Sequence, residues 1–107
     1  MFIAMNHFRV NPERAAEFEQ TWRTRESYLQ DVPGFVQFAL LKGDDEGEYI
    51  SHTTWESRDA FLGWAQSDAF RRAHAAGGPP EGVVVGHPRA RFYEAVIVER
   101  AGELAGR

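Results

Sequence analysis

Apolar positions change rhythm several times along the chain, and each change marks an element. Met1 to Val10 is mostly apolar and β-friendly, and Asn11-Pro12 stops it, which predicts a first strand. Asn11 suits a helix N-cap and Pro12 a first helical residue, because proline lacks only an N–H that would be unpaired there. From Glu13 to Gln30 apolar residues recur at Ala15, Phe18, Trp22 and Leu29, the spacing of one helix face. Glu19 and Arg23 form an i,i+4 pair on its surface, and Val32-Pro33-Gly34 ends it. Phe35–Leu41 and Tyr49–Trp55, joined by the acidic turn Gly43–Gly47, predict a β-hairpin. Ser57 caps a second helix with Ala60, Phe61 and Trp64. Ser67 or Asp68 caps a third, shorter one with Phe70 and His74. After a Gly/Pro loop over 75–82, Arg89–Glu99 reads as the last strand.

The resulting order, β-α-β-β-α(α)-β, predicts an α+β fold of the split βαβ, ferredoxin-like kind: a four-stranded antiparallel sheet with helices on one face. A sheet with one wet face alternates apolar and polar residues. Phe35–Leu41 is apolar on both faces apart from Gln37, and Phe92–Val98 is nearly so. Helices can cover only one face, so the other calls for a second sheet, most simply from another copy of the chain. A homodimer with its sheets face to face is expected.

At 107 residues, the chain fits one domain, read as 1–100 with a C-terminal tail over 101–107. Hydrophobic residues at 43% and charged residues at 26% are ordinary for a folded domain. Twelve basic residues against sixteen acidic ones give a net charge of −4, which argues against nucleic acid as a partner. With no cysteine, thiolate metal sites, disulfides and a cysteine nucleophile are excluded, and a cytoplasmic location is expected. The N-terminus lacks the pattern of a signal peptide, and no apolar run approaches a membrane span, so no membrane association is expected. No P-loop, dinucleotide fingerprint or His-Glu-x-x-His motif is present, and the four histidines are scattered.

A few residues stand out against this background. Asn6 interrupts an apolar strand, where it either faces solvent, bonds the backbone or offers its amide to a ligand. Arg25 falls on the inward stripe of the first helix between Trp22 and Leu29, where it either snorkels to the edge or meets an anion. Trp64 and His74 would lie ~15 Å apart along one continuous helix and ~80° apart around it. A break at Gln66-Ser67-Asp68 lets the second segment turn back, so that the two can share a pocket. Otherwise both read as core.

Pro33-Gly34-Phe35, Trp55-Glu56-Ser57 followed by Ala60-Phe61, and Trp64-x-x-Ser67-x-x-Phe70-x-x-x-His74 resemble the antibiotic-biosynthesis-monooxygenase superfamily. Within it, the chain is similar to the IsdG-type haem-degrading monooxygenases over most of residues 2–75. That group carries an Asn on the first strand, a Trp on the second helix and a His on the next, and Asn6, Trp64 and His74 fall on those positions. Trp22 stands where members tend to carry Phe, and Arg25 where several carry Arg. The Gly/Pro loop over 77–82 has no counterpart.

The resemblance implies a dimeric α+β barrel that oxidatively cleaves haem and releases its iron. Haem would be substrate and cofactor together, with dioxygen and a separate reductant or reductase. It implies His74 as axial iron ligand, Asn6 as a donor to the reacting oxygen and Trp64 as a ring pressed on the macrocycle. Trp22 would line the haem site and Arg25 would stand near the haem carboxylates. Two other functions fit the same fold: a cofactor-independent monooxygenase of an aromatic or quinol substrate, and a non-enzymatic haem-binding dimer.

Overall fold

Every strand pairing is antiparallel, and the register of β1 organises the rest. The computed structural model describes residues 1–75 and 78–102. Strand β1 (Phe2–Val10) leads through a single 3-10 turn at Pro12–Arg14 into helix α1 (Ala15–Thr24). The hairpin β2 (Phe35–Lys42) and β3 (Glu48–Trp55) follows, then α2 (Arg58–Ala65), α3 (Asp68–Ala75) and β4 (Val84–Glu94). The sheet order β2-β3-β1-β4 is the split βαβ, ferredoxin-like arrangement that the sequence predicts. Among the described residues no helix is long and apolar enough to cross a membrane.

The caps explain where the helices begin. Asn11 accepts from the Glu13 amide at 3.1 Å, and Ser57 accepts from the Ala60 amide at 3.1 Å. Gly34 has φ 81°, and a Cβ there would collide with the Ala60 side chain. Its carbonyl accepts from the Glu56 amide at 2.8 Å. The bare backbone at Gly34 thus lets the start of α2 seat directly on the start of β2.

Alternation along β1 puts Phe2, Ala4, Asn6, Phe8 and Val10 on the helix side of the sheet. The core there is split into two clusters. One gathers Val10, Phe18, Tyr49 and Val83, with Phe8, Trp22 and Leu40 around them. The other gathers Phe2, Leu29 and Trp55, with Phe35, Phe38, Phe61 and Trp64 around them. Between the clusters the sheet is crossed by Asn6, paired with Ser51 on β3 and Ala90 on β4. Small and polar side chains mark the divide.

Three expectations need correction. Helix α1 ends at Thr24 rather than Gln30, and Arg25 leaves it with extended backbone at ψ 151°. The Thr21 and Thr24 hydroxyls bond back to the Glu17 and Gln20 carbonyls at 2.9 Å, competing locally with continued helix. The departure lets the chain turn so that Leu29 closes on Phe2 and Trp55. Strand β4 lies earlier than Arg89–Glu99. It is laid against β1 from Val10↔Val84 to Phe2↔Glu94, with a bulge opposite Phe8 that absorbs Gly86 (φ 72°) and Pro88.

Val96 and Ile97 consequently lie outside the sheet, 94% and 79% exposed. The face away from the helices is therefore mixed rather than continuously apolar. Ile3, Met5, Leu41, Ile50 and Tyr93 share it with His7, Gln37, His52, Arg89 and Arg91. The expected tail over 101–107 lies, from residue 103 onward, outside the described residues, as do Ala76 and Gly77 of the Gly/Pro loop.

One polar contact is built into the first cluster. Buried Tyr49 donates its hydroxyl to the Glu19 carboxylate, which also meets Arg23 at 3.1 Å and Lys42 at 3.8 Å. Burial and this hydrogen bond push the Tyr49 phenol up to about 12, and the same bond holds Glu19 below the ordinary carboxylate range.

Two tests follow from these contacts. Gly34→Ala should cost at least about 1 kcal/mol of stability and lower the melting temperature, since it combines a disfavoured φ with a clash. Tyr49 contributes stability fully below the free phenol value near 10, lost as pH rises through about 12. Absorbance titration at alkaline pH should show one tyrosine ionising near 12. Tyr49→Phe should remove that step.

Candidate active site

Trp64 and His74 come together because the helix breaks between them. The Ser67 hydroxyl donates to the Trp64 carbonyl at 2.6 Å and accepts from the Phe70 amide at 3.1 Å. It closes α2 and caps α3 at once. The turn brings the Trp64 and His74 ring centroids to 6.3 Å, with Phe70 wedged beside both. Phe70 meets Trp64 edge-on at 4.8 Å and stacks on His74 at 3.9 Å. The i,i+4 spacing that puts Phe70 and His74 on one side of α3 also sets the histidine's tautomer. Nδ1 lies 2.9 Å from the Phe70 carbonyl, which can only accept. Neutral His74 therefore carries its proton on Nδ1 and keeps the Nε2 lone pair for a ligand. His74 is exposed.

Arg25 is held differently from the expectation. It stands just past the end of α1, not within it, and its guanidinium lies against a stacked pair of aromatic rings. Its carbon lies 4.6 Å from the Trp22 centroid and 4.7 Å from that of Phe38, while Trp22 and Phe38 themselves stack at 5.5 Å. No carboxylate pairs with it among the described residues, and its buried Nε has no acceptor. Burial pushes its pKa down, yet a guanidinium stays charged throughout the physiological range. The result is a half-buried cation without an anion.

Two further donors share this condition: the indole nitrogens of Trp22 and Trp64 are buried and make no hydrogen bond among the described residues. The Asn6 side chain is half-buried in the divide between the clusters. Unsatisfied buried donors cost about 1–3 kcal/mol each. Their concentration on the helix side of one sheet is what a site shaped for an acceptor-bearing ligand looks like.

The residues fall into two joined groups and one separate member. Trp64 and His74 share the Phe70 aromatic cluster, Trp22 and Arg25 share the Phe38 stack, and Phe38 and Trp64 pack in the same core cluster. Asn6 stands on the sheet floor between Ala4 and Phe8, which belong to the two clusters. Sequence reasoning missed Phe38 as the second ring against Arg25, although its helix-side position follows from period-two alternation along β2. It also missed the Phe70 carbonyl as the group that orients His74, which the i,i+4 spacing could have shown. No three His, Asp or Glu side chains converge on a metal site among the described residues. A metal here would need most of its ligands from elsewhere, as a porphyrin provides.

Comparison with known proteins gives this geometry its context. The chain is 32% identical over 77 residues to a staphylobilin-producing haem oxygenase of Staphylococcus saprophyticus, covering 69% of this chain and 73% of that one. The haem-degrader MhuD of Mycobacterium tuberculosis, solved with two haems in its active site, superposes with a TM-score of 0.76 at 28% identity. That match covers 94% of this chain and all of MhuD. SnoaB, a cofactor-independent oxygenase of Streptomyces nogalater, shares the fold with a TM-score of 0.65 at 23% identity, over 91% and 94% of the two chains. The antibiotic biosynthesis monooxygenase family model matches residues 1–76, most of the elements that build the site. By sequence and by fold, the chain belongs to the antibiotic biosynthesis monooxygenase family, within which it is similar to haem-degrading enzymes of the IsdG type.

Proposed function

We propose that this monooxygenase degrades haem, taking it as substrate and cofactor together, with dioxygen and electrons from a separate reductant. The observation that carries the reading is His74. It is an exposed imidazole with its proton committed to the Phe70 carbonyl, standing 6.3 Å from a tryptophan whose own N–H lacks a partner among the described residues. The surrounding residues fit the group. Aromatic walls suit a flat conjugated ring, and an unpaired half-buried arginine suits its carboxylates.

Bound haem supplies an oxygen-activating iron and is itself the molecule oxidised. The chain's own residues do the rest. The Nδ1–H bond to Phe70 fixes the His74 ring and leaves Nε2 as the nitrogen that would hold the iron. Trp64, backed by Trp55, Phe61 and Phe70, is braced to press on the macrocycle rather than yield to it. The Asn6 amide is the donor assigned to the reacting oxygen. Arg25, with Trp22 beneath it, is assigned to a haem carboxylate. We further propose that the enzyme works in the cytoplasm as a homodimer. The second copy would cover the helix-free face, where Leu41 and Tyr93 are exposed and the buried Nδ1 of His52 lacks a partner.

The roles separate experimentally. His74→Ala should lose the ligated Soret band together with activity. Asn6→Ala and Trp64→Ala should keep haem binding and lose turnover, followed as Soret bleaching and iron release with ascorbate or a reductase and catalase present. Arg25→Ala should weaken haem binding by about 1–3 kcal/mol. A wild type that binds haem without bleaching it is a carrier. One that never binds haem is a cofactor-independent oxygenase. For assembly, light scattering should give twice the chain mass, and a clean monomer at micromolar concentration would exclude the dimer.

A further inference from the structure

One sizeable cavity of the protein is not bordered by His74. It measures about 890 Å³ and lies between the connection over 25–33 and the paired helices α2 and α3. That is toward the upper end of the range that holds small organic ligands, about 300–1,000 Å³. Of the residues assigned to haem it shares only Arg25 and Trp64, and no histidine lines it among the described residues. An iron-bearing ring placed here would find no axial nitrogen.

Its chemistry is nonetheless that of a ligand site. Ala60, Gly63, Trp64 and Ser67 follow one another at helical spacing and give α2 one continuous face toward the cavity. Val32 and Pro33 form part of the opposite wall. Gly63 is the telling residue. Glycine is the poorest helix former short of proline, yet here it sits inside an eight-residue helix. No tight packing requires it, because a Cβ built at position 63 meets nothing within 4 Å. The omitted side chain leaves open the space beside Trp64.

Charge gives the cavity a direction. Arg72, unlike Arg71, pairs with no carboxylate among the described residues; its guanidinium stands 5.8 Å from the Tyr28 ring. Arg25 brings the unsatisfied Nε described above. Of the acids in the lining, Glu26 accepts from the Tyr28 hydroxyl at 3.0 Å, while Asp31 and Asp59 oppose an anion at their own positions. A carboxylate is therefore received at the arginines and an apolar body along Gly63 and Trp64.

We propose that this cavity is a second ligand site, for an iron-free conjugated tetrapyrrole carboxylate, the chemical class left when haem has been opened and its iron released. The ligand class rests on the haem-degrading reading; the existence of the site rests on Gly63, Arg72 and the cavity. Tryptophan fluorescence titration of the full chain with biliverdin, and separately with iron-free protoporphyrin IX, tests it.

The wild type and His74→Ala should bind at least one of the two with equal affinity. Gly63→Ala should retain binding and melt no lower than wild type, whereas Gly63→Leu should lower affinity at least tenfold. Arg72→Gln should lower it severalfold and provides the same test should Gly63→Leu fail to fold. Binding of biliverdin alone identifies an opened-product site, and binding of protoporphyrin alone an iron-free ring site.

If neither tetrapyrrole binds, or binding is indifferent to Gly63→Leu and Arg72→Gln, the proposal is overturned. It is also overturned if Gly63→Leu abolishes the His74-dependent Soret band, because the two sites would then be one. A chain that shows that band but binds neither probe loses this site and keeps the haem reading. Failure to bind haem at all removes the haem reading instead.

Discussion

A single hydroxyl holds the site together. Ser67 ends α2 by donating to the Trp64 carbonyl and starts α3 by accepting from the Phe70 amide. Without that change of direction, Trp64 and His74 would project about 15 Å apart along a common axis. With it, their rings meet around Phe70. Two later features use the turn: the edge-on bracing of Trp64 by Phe70 and the approach of α3 to the cavity beside Gly63. A serine at this position thus brings together two side chains ten residues apart in sequence.

The second constraint is the divide in the core. A sheet of this size could bury one continuous apolar layer under its helices, and it does not. Asn6, Ser51 and Ala90 interrupt the layer, leaving one cluster anchored by Phe18 and Tyr49 and another by Phe2 and Trp55. Small and polar residues contribute little hydrophobic stabilisation, so the break costs stability. What it provides is a floor on which an amide can face a ligand. Tyr49 and Glu19 compensate on one side, tying α1 to β3 through a charged hydrogen bond. Gly34 does so on the other, seating α2 directly on the sheet.

Much of this was legible in the sequence because it rests on local signals. Asn11, Ser57 and Ser67 cap where capping residues should, and the acidic turn joins β2 to β3 as a hairpin. The break that unites Trp64 with His74 was readable for the same reason. The misplaced elements depend on distant partners. Nothing between Arg25 and Gln30 forbids helix. The chain leaves it because Leu29 belongs against Phe2 and Trp55, contacts invisible to a local pattern. β4 shows the same limitation more plainly. Ala95–Val98 is the more strand-like run, but the length of β1 decides which residues pair, and its register reaches back to Val84. Arg25 inherits both lessons. Its place on a helical stripe was an artefact of the over-long helix, while its approach to Trp22 survived because the rings capture the guanidinium wherever the backbone turns.

Fold and chemistry separate cleanly in this protein. The sheet, the two capped helices and the Gly34–Ala60 contact would serve a cofactor-independent oxygenase equally well, and SnoaB shares that fold. What supports the proposed haem reading is a small set of groups whose structural roles are incomplete. His74 keeps one nitrogen occupied and the other free. Trp22, Trp64 and Arg25 bury donors that nothing among the described residues accepts. Such groups are costly in a protein that folds for stability alone. They make sense where the missing partner arrives from solution, brings acceptors on its rim and offers a flat conjugated face to the rings. A porphyrin dicarboxylate meets all of these requirements at once, whereas an uncharged aromatic substrate would leave Arg25 without an anion.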